Sequence, residues 1–212
     1  MEKPLALSLA RDLWRIGATT VRFNPPFRWS SGWLSPMYCD NRKILSHPQV
    51  RSRVADALAS VVKARFAATE CLAAVATGAI GHAALVAERL ALPLVYVRPE
   101  PKGHGLENRI EGDLPTGAKT LVVEDLISTG AGSFRVCQAL REAGAVLVGL
   151  LSIFHYGFPH AEKLFAENDI NFDYLCNFDI VVEIGVETRK IAPAERDALL
   201  RWKQQPEHWR PS

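Results

Sequence analysis

Lys119-Thr120-Leu121-Val122-Val123-Glu124-Asp125-Leu126-Ile127-Ser128-Thr129-Gly130-Ala131-Gly132-Ser133 decides the fold of this 212-residue chain. Thr120 to Val123 form a short β-branched, apolar run, the composition of a parallel strand covered on both faces. Glu124 and Asp125 follow at its carboxyl end, the edge of an open α/β sheet where ligands bind. Ser128 to Ser133 then place hydroxyls and backbone N–H groups at the start of a helix, a cradle for a phosphate. A Walker loop needs Gly, four residues, then Gly-Lys-Ser/Thr, and a dinucleotide fingerprint needs a third glycine where Arg135 stands, so neither motif is present. Carboxylates directly before the phosphate loop point instead to a ligand carrying a phosphate and, close by, a sugar diol or a bound divalent cation. The plainer alternative is a strand that ends in a solvated acidic pair and a Gly-rich turn.

Outward from this stretch the chain reads as successive strand, turn and helix units. Cys71 to Ala76 is a buried strand, followed by the small-residue turn Thr77-Gly78-Ala79-Ile80-Gly81 and a helix through Leu90. Leu94 to Val97 is a further strand, with Arg98 at the same sheet edge as the acidic pair. Val136, Leu140 and Ala143 mark a helix that ends at Gly144, and Val146 to Phe154 is another buried strand. The pattern predicts an α/β fold, a mainly parallel sheet flanked by helices. Between Pro99 and Gly112 the chain is poor in apolar residues and carries Gly103, Gly105 and Gly112, so a mobile loop of lid length is expected there, or else a solvated hairpin.

Toward the N-terminus, Leu5, Leu9, Leu13 and Ile16 recur at helical spacing and predict a helix over residues 4–16. Phe27 to Asp40 mixes aromatic, small and polar residues, as a hairpin with a ligand-facing loop does, or one that packs its aromatics on the core. His47-Pro48 opens a helix with Val50, Val54, Ala57, Leu58, Val61 and Val62 on one face. In the tail, Ala161 to Asn168 reads as a helix, Ile180 to Ile184 as a strand and Pro193 to Gln204 as a terminal helix, none carrying evident chemistry.

Twenty-five basic against 23 acidic residues leave a net charge of +2, far from the excess of a nucleic-acid binder. Cys39, Cys71, Cys137 and Cys176 are widely spaced without a Cys-x-x-Cys pair, which argues against a zinc site or a disulfide framework. Arg11, Asp12 and Arg15 interrupt the N-terminal apolar residues too early for a signal peptide, and no run of eighteen apolar residues follows. A cytoplasmic protein of one domain over residues 1–212, without a membrane or nucleic-acid partner, is expected. At this length roughly 70% of the unfolded surface is buried on folding.

The Glu124 to Ser133 stretch resembles the signature of the type I phosphoribosyltransferases. In that family the acidic pair holds the ribose hydroxyls of phosphoribosyl pyrophosphate (PRPP) and the following loop its 5-phosphate. Ser31-Gly32, Ser35-Pro36, Tyr38, Asp40 and Arg42 resemble the N-terminal hood of the orotate phosphoribosyltransferases, which implies that residues 1–45 cover the base. Lys102-Gly103-His104-Gly105 is similar to the catalytic loop of that branch, which closes over PRPP in the partner subunit of a homodimer. The resemblance thus implies transfer of the phosphoribosyl group of PRPP to orotate, giving orotidine 5'-monophosphate and pyrophosphate, with Mg2+ carried on PRPP and no metal site of the protein's own. It implies Lys102, His104 and Asp125 as catalytic. For PRPP it implies Arg98, Lys102, His104, Glu124, Asp125, Leu126, Ile127, Ser128, Thr129, Gly130, Ala131 and Gly132. For orotate it implies Ser128, Tyr38 and His155.

Four positions depart from the family's pattern. Ser30 stands where many members have a lysine, Gly78 where some have one, Pro99 where in one branch a lysine usually follows the arginine, and His155 where the family often presents an arginine to the base. Two rivals keep the same fold: a phosphoribosyltransferase for another base, and a regulator that senses PRPP without turnover. The hood motif speaks against the first and the Lys102-x-His104 pair against the second. No helix-turn-helix or basic stripe supports a DNA-binding regulator.

Overall fold

The computed structural model describes residues 3–29, 32–100 and 109–210. The chain opens with α1 (Lys3–Arg15), whose buried Ala6, Leu9, Ala10 and Leu13 follow the predicted spacing. Four short strands come next, β1 (Thr19–Val21), β2 (Phe27–Arg28), β3 (Leu34–Ser35) and β4 (Met37–Cys39). They form two small antiparallel sheets, β1 with β4 and β2 with β3, so the expected hairpin is present. A 3-10 turn (Asn41–Ser46), capped by the Asp40 carboxylate, leads into α2 (Pro48–Arg65), which starts on the proline as a first-turn proline favours.

The remaining elements build the main layer: β5 (Cys71–Val75), α3 (Ile80–Leu90), β6 (Leu94–Val97), β7 (Ile110–Glu111), β8 (Lys119–Ile127), α4 (Ala131–Glu142), β9 (Val146–His155), α5 (Pro159–Ala166), β10 (Phe172–Asn177), α6 (Phe178–Glu187) and α7 (Pro193–Gln204). The sheet order is β10-β9-β8-β5-β6-β7. All neighbours are parallel except β7, which runs antiparallel to β6 with Val97 opposite Ile110. Every residue of β5 is buried, as are Thr120 to Glu124 of β8. Burial of consecutive residues, which point to opposite faces, means that helices cover both sides, as the apolar run implied.

Two expectations are corrected. The segment 99–112 is not loop throughout, because Ile110–Glu111 pairs with the end of β6. Ile180–Ile184 is helical, inside α6: the Asn177 side chain accepts a 3.1 Å bond from the Ile180 N–H and starts the helix, against the strand preference of Ile180, Val181 and Val182. The strand of this region is β10, just before it, which polar Asp173 and Asn177 disguised.

The tail also holds the N-terminal sheets in place. Trp202 of α7 is fully buried, donates to the Leu34 carbonyl at 3.0 Å and lies edge-on to Trp29 at 5.8 Å. Tyr156, Phe158 and Phe178 complete this aromatic cluster. Rings packed in this way add about 1 kcal/mol per pair beyond burial, so the two small sheets are fixed to the carboxyl end of β9 rather than hinged.

Candidate active site

A cavity of about 820 Å³ opens at the carboxyl edge of the sheet. Its floor is Glu124, Asp125 and Leu126 of β8, one wall is the Ser128 to Ser133 loop and first turn of α4, and the facing wall is Arg28, Trp29, Tyr38, Cys39, Asp40 and Arg42 from the N-terminal segment. Gly130 adopts a left-handed φ of +78° directly before α4, a conformation glycine takes at little cost. The first amides of α4 have no carbonyl one turn earlier to accept their hydrogen bonds, so the loop presents free donors at the positive end of the helix.

The two carboxylates differ. β8 runs on to Ile127, beyond the run that the apolar pattern marked, so Glu124 and Asp125 lie within the strand, and both line the cavity. Glu124, 6% exposed, accepts from the Ser133 hydroxyl at 2.9 Å and from the Asp125 N–H at 3.0 Å. Burial, and then the adjacent negative charge of Asp125, push its pKa well above the usual carboxylate range. Asp125 is half-buried; burial raises its pKa as well, but a hydrogen bond with Glu124 and the facing His82 and Arg42 oppose the rise. Of the two, Asp125 is therefore the one whose charged form is opposed less.

Gly78 explains itself in this geometry. The chain leaves β5 through a cis peptide bond between Ala76 and Thr77, and a Cβ on Gly78 would lie 2.5 Å from Asp125 Oδ1. Any side chain there, lysine included, would displace the carboxylate.

Three supporting residues escaped the sequence reading. Asn41, fully buried, donates from Nδ2 to the Asp125 carbonyl at 2.7 Å. His82 of α3 lies 3.2 Å through Nε2 from the Asn41 carbonyl, and burial lowers its pKa. Tyr156 lines the cavity, and its hydroxyl accepts from the Cys39 N–H at 3.2 Å. Period-two alternation from Phe154 was the signal for Tyr156; the other two contacts span 84 and 41 positions and leave no local trace.

Of the residues expected to touch substrate, Tyr38, Glu124, Asp125, Leu126, Ser128, Thr129, Gly130, Ala131 and Gly132 line this one cavity. Ile127 is buried beneath it, its carbonyl bonded to the Tyr156 N–H at 2.9 Å. Arg98 follows β6 and pairs with Glu111 at 3.6 Å, outside the lining. His155 is corrected as a base contact: it is fully buried, turned away from the cavity onto Phe172 and Tyr174, with ring centroids 5.4 and 5.2 Å away. Lys102 and His104 lie outside the described residues. Among the described residues no group of three His, Cys, Asp or Glu is placed to hold a metal ion, and no helix is long and apolar enough to cross a membrane.

No protein-family model matches the chain. It is 43% identical over 207 residues to the orotate phosphoribosyltransferase of Porphyromonas gingivalis, covering 98% of this chain and 99% of that protein. To the Bacillus subtilis protein of the same name it is 45% identical over 199 residues, 94% of this chain and 92% of the other. The solved orotate phosphoribosyltransferase of Aeropyrum pernix matches with a TM-score of 0.71 at 31% identity, over 82% of this chain and 97% of that one. UMP synthase of Leishmania donovani, with a TM-score of 0.81 at 20% identity over 94% of this chain and 42% of that one, shares the fold. With this identity sustained over nearly the whole length of both partners, the chain belongs to the orotate phosphoribosyltransferase family.

Proposed function

We propose that the protein transfers the phosphoribosyl group of PRPP to orotate, giving orotidine 5'-monophosphate and pyrophosphate for pyrimidine biosynthesis. The observation that carries this reading is the meeting, in one cavity, of the Asp125 carboxylate, the free amides of the α4 turn and the N-terminal wall around Tyr38. The amides and the Ser128 and Thr129 hydroxyls anchor the 5-phosphate, and Glu124 and Asp125 hold the ribose hydroxyls. N1 of orotate, between Tyr38 and Ser128, gives up its proton to the departing pyrophosphate and forms its bond to the ribose C1' as the bond from C1' to the pyrophosphate oxygen breaks. The ring passes through a cationic, ribosyl-like transition state, which the nearby negative charge of Asp125 favours.

Leaving-group charge falls to the cations of the 98–104 segment, Arg98, Lys102 and His104, with the last two reaching the partner's site in a homodimer. Mg2+ arrives with PRPP as part of the substrate and supplies charge neutralisation on the pyrophosphate. A cytoplasmic setting fits four buried free thiols.

Calorimetric titration with PRPP and magnesium tests the ribose site. Asp125→Asn keeps side-chain volume and removes charge, so PRPP affinity should fall by at least about tenfold, the loss of one charged hydrogen bond. Equal affinity for the two proteins would reduce the acidic pair to a strand end.

A further inference from the structure

Three arginines line the cavity: Arg28, Arg42 and Arg135. Arg42 is committed to Asp40, through Nε at 2.7 Å and Nη2 at 3.1 Å. Arg135 pairs with Glu100 at 3.0 Å. Arg28 is exposed and has neither ion pair nor hydrogen bond among the described residues. A guanidinium that lines a pocket without a carboxylate of its own is a receptor for one from a ligand, because its planar fork fits a carboxylate through two parallel N–H bonds.

Its backbone is held on both sides. Phe27 packs on Tyr38 at 5.5 Å and carries Arg22 over its ring at 4.4 Å, while Trp29 lies 4.8 Å from Tyr156. Arg28 itself sits opposite Leu34 in the hood strand pair. The side chain therefore projects from a fixed point on the wall that faces the phosphate loop. The other residues that stand at the family's cationic base positions do not compete: Ser30 is uncharged, and His155 is buried away from the cavity.

We propose that Arg28 is the specificity-determining residue for the base, and that it pairs with the carboxylate by which orotate differs from uracil. The assignment rests on transfer to orotate as the reaction. A site that leaves a charged donor unpaired rejects the analogue lacking the partner more strongly than an apolar pocket rejects a missing methylene. In such a site the carboxylate also fixes the ring, and so aims the adjacent N1 at the sugar carbon.

Steady-state kinetics on Arg28→Gln and Arg28→Lys test this, with PRPP titration to verify that the phosphate side is intact. Arg28→Gln should raise KM for orotate about tenfold to a hundredfold, as loss of a charged hydrogen-bond pair does, and leave KM for PRPP within about twofold. Arg28→Lys should recover part of the loss through charge alone. Wild-type KM for orotate in Arg28→Gln overturns the assignment, and so does an equal rise in KM for PRPP, which would place Arg28 on a phosphate. A wild-type protein that does not use orotate at all overturns the functional reading together with this one, and is told apart by needing no variant to see it.

Discussion

Replacing His155 by phenylalanine should flatten the acid limb of the stability curve. The ring is fully buried, and neither Nδ1 nor Nε2 has a hydrogen-bond partner among the described residues. Burial, and then the charge of Lys203, lower its pKa from the ordinary 6.5 to about 4. As the pH falls through 6.5 the unfolded chain binds a proton that the folded chain refuses until about 4. The stability held by the neutral ring is therefore complete above 6.5 and is lost as the pH falls toward 4. That interval corresponds to about 3 kcal/mol, most of it gone by about pH 4.5. Glu124 and Asp125, with raised pKa values, titrate with the opposite sign, since their stabilising protonated forms are lost as the pH rises; they are common to both proteins and cancel in the comparison. Urea unfolding at about pH 7.5 and about pH 4.5 should show the wild type losing roughly 2 kcal/mol more than His155→Phe. Identical losses would refute the reasoning and mean that the imidazole finds a partner or water when it is charged.

The other expectations concern the site. Gly78→Ala should push the Asp125 carboxylate aside and raise KM for PRPP by about tenfold with little change in melting temperature, a single charged contact being at stake; an unchanged KM would show that the close approach is incidental. Lys102→Ala and Asp125→Asn proteins, each inactive alone, should regain activity on subunit exchange, because a mixed dimer has one site built from undamaged parts; proven heterodimers without activity would place the loop in its own subunit. Turnover should stop in excess chelator while the melting temperature of the ligand-free protein stays constant, and a drop in that temperature would reveal a structural metal.

The parts of the molecule visible in the sequence are those fixed by local chemistry. An apolar run followed by Glu124, Asp125 and a Gly-Ala-Gly turn announces a strand, its ligand edge and a helix start, and the structure places all three around one cavity. The misreading at Ile180–Ile184 came from trusting β-branched side chains over a cap: Asn177 followed by Phe178, Val181, Val182 and Gly185 at helical spacing was the better guide. His155 was misplaced because successive side chains alternate, and one step past the end of β9, from His155 to Tyr156, exchanges the core for the cavity wall. Asn41 and His82 were invisible for a different reason, since what they do depends on tertiary contacts with β8 and with each other.

The most direct test of the central claim is turnover by the purified protein with PRPP and magnesium against a panel of orotate, uracil, hypoxanthine and adenine. Orotate alone should be consumed, with pyrophosphate released in equal amount. Turnover of a purine with orotate untouched, or PRPP binding without turnover of any base, would contradict the account.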